Sequence, residues 1–171
     1  MIRKVEDFIQ VWQAEADNTV KVFEAIPDKH SEQSIADGHR SLKRLAWHLV
    51  ESLIEMPGHF GIQIDGHEMV KNNAICDPPA TMSEIKSAYE KANASFLTGL
   101  KNWTDDTLSQ EVDMYGQKWT KGQSLFVLMT HQIHHRGEMF VLIRQAGLVP
   151  PNIYGPTKEG WAAFGMEAPK V

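Results

Sequence analysis

The stretch Thr120-KGQSLFVLMTHQIHHRGEMFVLIRQ-Ala146 decides how the chain folds. Thr120 and Gln123 have the spacing of a helix N-cap and its reciprocal partner. Gly147 stands where a helix end takes a left-handed residue, Arg144 suits the negative end of the helix dipole, and Pro150-Pro151 forbids continuation. The segment reads as one long helix. Val127, Leu128, His131, His135 and Leu142 share one side, and Phe126, Met129, Ile133, Phe140 and Ile143 lie roughly opposite. A helix apolar on two sides needs two surfaces to pack against. One is its own bundle. The other is either the C-terminal tail, which carries Tyr154, Trp161 and Phe164, or a second subunit; a homodimer is expected.

Three further helices precede it. From Val5 to about Ile26, apolar residues recur at three- and four-residue steps (Val5, Phe8, Trp12, Ala16, Val20, Phe23) until Pro27. Ser41 is a candidate N-cap for a second helix to about Met56, with Leu42, Leu45, Leu49 and Leu53 in one stripe and Pro57-Gly58 at its end. Thr81 and Glu84 form a capping-box pair at the head of a third, which continues through Ile85, Tyr89, Phe96 and Trp103. The long connection from Pro57 to Ala80, which carries His59, His67 and Cys76, suits a crossover between helices two and three. Residues 111–119 alternate around Gly116 and are compatible with a short hairpin. The expectation is an all-α four-helix bundle, one domain over residues 1–171.

Composition narrows the function classes. The 171 residues are 42% apolar and 23% charged, with a net charge of −5. An acidic chain without a cluster of Lys and Arg is a poor match to nucleic acid. A single cysteine, Cys76, gives no internal disulfide. Met1 to Asp7 turns acidic before any long apolar run, which does not read as a secretory signal, and no stretch reaches the length of a spanning helix. A cytoplasmic protein without a membrane anchor is expected.

The eight histidines are the compositional oddity, and three of them stand in His131-Gln132-Ile133-His134-His135. Residues four apart lie one turn above each other, so His131 and His135 can aim their imidazoles at one point. His131 and His134, three apart, are an alternative pair. Neutral imidazole is a good ligand for zinc, nickel and copper. A third ligand must come from another helix, and His48 is the best placed. Three protein ligands with an open position belong to catalytic rather than structural sites. Glu138 follows His135 by three residues and could coordinate, orient a ligand ring or take a proton. Glu51 stands in the same relation to His48. Arg136 could bind an anionic substrate or serve the structure. Nothing beside Cys76 lowers its pKa, so it is not read as a nucleophile.

Two segments carry a resemblance. Leu45-Ala46-Trp47-His48-Leu49-Val50-Glu51 resembles the first metal-ligand segment of the DinB/YfiT-like family. The run His131-Gln132-Ile133-His134-His135-Arg136-Gly137-Glu138 is similar to that family's H-x-x-H-H-R-G-Q segment, with Glu138 where the family usually has Gln. The resemblance implies a four-helix bundle, often dimeric, with His48, His131 and His135 on a divalent metal, zinc or nickel first. It leaves Glu138 as the candidate catalytic group and Glu51 and His134 as candidates for supporting the ligands. It further implies a metal-dependent hydrolase or a thiol-dependent transferase acting on a small molecule, in the second case with a low-molecular-weight thiol. The competing expectations are a metal-binding or stress-response protein without catalysis, and a metal-free dimeric interaction module.

Overall fold

The computed structural model describes residues 2–66 and 76–170. Four long helices make up most of it: α1 (Val5–Glu24), α2 (Leu42–His59), α3 (Met82–Leu100) and α4 (Lys121–Gln145). The hairpin between α3 and α4 is real, with β1 (Glu111–Met114) antiparallel to β2 (Gln117–Thr120) and Met114 opposite Gln117. Tyr115 (φ 57) and Gly116 (φ 81) fill its turn. Positive φ at both central residues is what a two-residue turn needs to match the twist of the strands.

The helix ends follow the signals in the sequence. Ser41 Oγ accepts from the Arg44 amide (3.3 Å), and Thr120 Oγ1 accepts from the Gln123 amide (3.1 Å). Both arms of the Thr81–Glu84 capping box form. Lys4 cannot cap α1, and Asp105 Oδ1 accepts from the Val5 amide (2.9 Å) instead. At the far end of α4 the Gly147 amide reaches the Arg144 carbonyl and the Leu148 amide the Ile143 carbonyl, the paired bonds of a Schellman end. Two boundaries differ from expectation: α3 ends at Leu100, short of Trp103, and α2 extends beyond Met56. α2 runs through Pro57 to His59. A proline in the last turn forfeits a single backbone bond, and the Pro57 carbonyl then takes the amides of Phe60 and Ile62.

Within the bundle α1 packs on α3 and α4, and α2 packs on α3 and α4. The connection leaving α2 seats Ile62 against Gly99 near the end of α3, where a Cβ on Gly99 would stand 2.3 Å from Ile62 Cγ2. Before α3 begins, the Cys76 carbonyl accepts from Arg44 at the start of α2 (2.6 Å). The connection is therefore anchored at both ends of the bundle, so α2 and α3 run parallel and the expected crossover is present. His67 lies outside the described residues. The core is apolar and aromatic, centred on Trp12, Trp47, Tyr89, Phe23 and Phe96, all almost wholly buried.

α4 resolves the question its two apolar sides raised. Leu128, His135 and Leu142 face α2, while Gln132, Arg136, Met139 and Ile143 are also buried. Ile143, expected on the outer face, is fully inside. The helix packs on α1 and α2, and of its second side Ile143 is core while Met129 and Phe140 pack on the core only in part. Phe126 (48% exposed) and Val141 (53%) remain outside.

One buried polar knot ties α1, α4 and the tail together. The Arg136 guanidinium pairs with the Glu15 carboxylate, and also donates to the Glu15 carbonyl (2.6 Å) and to Tyr154 Oη (2.6 Å). Tyr154 Oη in turn donates to Glu15 Oε2 (2.6 Å). The tail is thus pinned through the Tyr154 hydroxyl, and again by Arg144 on Glu159, while Phe164 stays 64% exposed rather than packing as expected. Arg136 is occupied and 2% exposed, so it is a structural residue and not an anion anchor. Arg136→Met should lower unfolding stability in urea by about 3–5 kcal/mol, because it strands the Glu15 charge in the interior. A loss below about 1 kcal/mol, the scale of an exposed pair, would show that the knot is solvated.

Candidate metal centre

α2 and α4 meet at Gln132, whose amide Nε2 donates to the Leu49 carbonyl (3.0 Å) and to Ser52 Oγ (3.1 Å). That clamp fixes the helices' register, and the histidines beside it fall into line. His48 on α2 and His131 on α4 bring their Nε2 atoms within 3.3 Å, and His131 and His135 bring theirs within 3.1 Å. A ligand atom from each of the three rings lies within 4.8 Å of the other two. Zinc–imidazole bonds of 2.0–2.1 Å at a tetrahedral angle put ligand nitrogens about 3.3 Å apart. The spacing fits a metal.

Protonation fits as well. His135 Nδ1 lies 2.7 Å from Glu138 Oε2. A carboxylate only accepts, so Nδ1 carries a proton and donates it to Glu138, which leaves Nε2 as the nitrogen directed at the other two rings. Burial first, with Arg40 and the two neighbouring histidines adding to it, lowers His48 from the ordinary imidazole value of 6.5 to about 3. Burial, then His135 and His134, lowers His131 to about 4. Both rings are neutral near pH 7, the form that ligates. Without a cation, one Nε2 proton on His131 could satisfy one of its two neighbours, and its buried Nδ1 has no hydrogen-bond partner among the described residues.

A model of the DinB family matches residues 1–170. The chain belongs to the DinB family. It is 38% identical to the uncharacterised protein YrdA of Bacillus subtilis (strain 168) over 174 residues, all of both chains. It is 25% identical to the uncharacterised YjoA of the same strain, over 75% of this chain and 82% of that one. Among solved structures, a DinB-like protein from Bacillus cereus ATCC 10987 superposes with a TM-score of 0.82 at 34% identity, covering 90% of this chain and all of that one. The B. subtilis YjoA structure gives 0.68 at 20% identity, over 87% of this chain and 97% of that one, and shows a shared fold.

The remaining sequence candidates sort by position in this DinB bundle. Glu138 is half exposed and holds His135. His134 faces solvent with its Nε2 3.4 Å from Glu138 Oε1, outside the convergent trio, so the three-apart pairing with His131 is not the one the helix forms. Glu51 stands 4.0 Å from His48 Nδ1. Its carboxylate is held by the Arg44 guanidinium and accepts from the Cys76 amide (3.1 Å). Burial raises the Glu51 pKa and the Arg44 charge opposes that rise. His59 is turned away, bonded to Glu55 (2.8 Å) beside Tyr115.

A cleft of about 500 Å³ adjoins the trio, lined by Leu45, Glu138, Val141 and Leu142 together with Ile35, His39 and Arg40 from the loop before α2. Sequence reasoning passed over that loop. It is irregular and gives no periodic signal, and Arg40 stands just outside the cap at Ser41. Glu15 and Thr19 did leave a trace, being polar residues four apart on the apolar face of α1.

Proposed function

We propose that the chain is a divalent-metal-dependent enzyme that activates a small nucleophile, a water or a low-molecular-weight thiol, for attack on a small-molecule electrophile. The observation that carries this reading is the convergence of three imidazole nitrogens from two helices beside an open cleft. His48, His131 and His135 would hold the metal, zinc or nickel first. A metal held by three imidazoles with a position left open acts as a Lewis acid and lowers the pKa of a water or thiol placed there. Among the described residues no carboxylate joins the trio to close the ligand set, which favours catalysis over storage.

Glu138 has two tasks in this scheme. Through Oε2 it keeps the proton on His135 Nδ1, which fixes the ring's direction. Through Oε1, on the cleft side, it would take up by way of water a proton released by the nucleophile, and His134, 3.4 Å from that oxygen, would pass it toward solvent. Glu51 steadies the α2 side behind His48, under the hold of Arg44. With one cysteine in the chain, a reducing cytoplasm suits the protein.

A homodimer through the outer side of α4 belongs to the same proposal. Phe126 is exposed there, and a Cβ at Gly137 would meet none of the described residues. A glycine inside a helix costs about 1 kcal/mol relative to Ala, and no neighbour among the described residues requires it. A facing helix would.

Metal-reconstituted protein, tested on ester and amide substrates and on electrophiles supplied with a thiol, should turn over one class. Glu138→Gln, which can still accept from His135, should retain the metal and lower kcat about 10²–10⁴-fold. Unchanged kcat in that variant would remove Glu138 as the proton acceptor, and inactivity across the panel would favour a metal-binding protein without catalysis. Light scattering should give about twice the 19.3 kDa chain mass, reduced to one chain by Ile133→Asp. A wild-type monomer would contradict the dimer.

A further inference from the structure

The arginines of this chain are unequal. Arg44, Arg136 and Arg144 each carry a carboxylate partner, Glu51, Glu15 and Glu159. Arg3 and Arg40 make no ion pair or hydrogen bond among the described residues, and of these two it is Arg40 that lines the same cleft as Glu138. The cleft approaches the histidine trio through Glu138, which lines it and holds His135 Nδ1 (2.7 Å). Leu45 precedes His48 by three residues on α2, and Glu138 and Leu142 follow His135 by three and seven on α4. The charge of Arg40 reaches both His48 and His131. The walls between are apolar, contributed by Ile35, Leu45, Val141 and Leu142.

We propose that this cleft binds a small molecule carrying a carboxylate, which the Arg40 guanidinium receives, with an apolar segment along Leu45, Val141 and Leu142 and its opposite end at the histidines. A planar guanidinium with no internal partner matches a carboxylate by two parallel hydrogen bonds, and its weak hydration makes that exchange favourable. The apolar walls supply contact that one exposed ion pair lacks. Glu138 sets the polarity: a molecule with its carboxylate reversed would meet that side chain's negative charge. The inference deepens the proposed function, since it names the substrate class of the same cleft, and it rests on that reading only for the role of the far end.

Hexanoate and its neutral isostere hexanamide are suitable probes, titrated into the full chain by NMR, once zinc-loaded and once stripped of metal. The metal-free arm reads the Arg40 contact alone. There hexanoate should bind about ten-fold more tightly than hexanamide. Arg40→Met, which keeps the aliphatic stem, should erase the preference without changing the melting temperature, and Arg40→Lys should restore part of it. Val141→Trp, which fills the cleft, should weaken both probes. Equal binding of acid and amide to the metal-free wild type, or a preference that survives Arg40→Met, would overturn the proposal while leaving the metal centre untouched. A preference seen in the metal-free arm of a protein that retains no zinc would keep the carboxylate site and sink the metal reading instead.

Discussion

Three imidazoles, held side by side where two antiparallel helices touch, are the constraint on which the rest of this protein depends. Ring nitrogens at 3.1 and 3.3 Å are comfortable only when something shares their lone pairs. The surroundings are arranged to keep those lone pairs available. Burial and the nearby charge of Arg40 suppress protonation of His48 and His131, and the Glu138 carboxylate fixes the tautomer of His135. The Gln132 clamp on Leu49 and Ser52 sets the register that makes the convergence possible. A slip of one residue between α2 and α4 would rotate the rings apart by about 100° of helix.

The bundle protects this seam by satisfying its buried charges elsewhere. Arg136 and Glu15 neutralise each other between α1 and α4, and Tyr154 brings the tail down to cover them. Arg44 and Glu51 do the same on α2, and through the backbone of Cys76 they anchor the crossover beside the site. The first pair joins segments 121 residues apart, and the second, within α2, reaches the crossover through Cys76. Ion pairs of this kind contribute more to the choice of one arrangement than to net stability. The cleft near the trio lies under the loop that carries Arg40.

Much of this was legible in the sequence because helices advertise themselves locally. The caps at Ser41, Thr81 and Thr120 and the glycine at 147 each act within a few residues, so the signal and its effect lie together. The spacing of His131 and His135 fixes a shared face by helix geometry alone, and His48 stood out by its place within the second helix, a choice the resemblance matched. What the sequence concealed depends on tertiary contact. That Arg136 is consumed by Glu15, 121 residues away, could not be read from its position beside the ligands. Nor could the burial of Ile143, because a helix wedged between two others shows the same pattern as one shared with a second subunit. The irregular loop before α2 has no period to read, so Arg40 emerged only with the cleft.

Metal content tests the central claim most directly. Untagged protein, dialysed after exposure to zinc or nickel, should retain about one ion per chain, and His48→Ala and His131→Ala should each lose it while keeping the helical spectrum of the wild type. Wild-type protein that retains no metal under those conditions would mean that the three histidines serve packing alone, and the account of the site would fall with them.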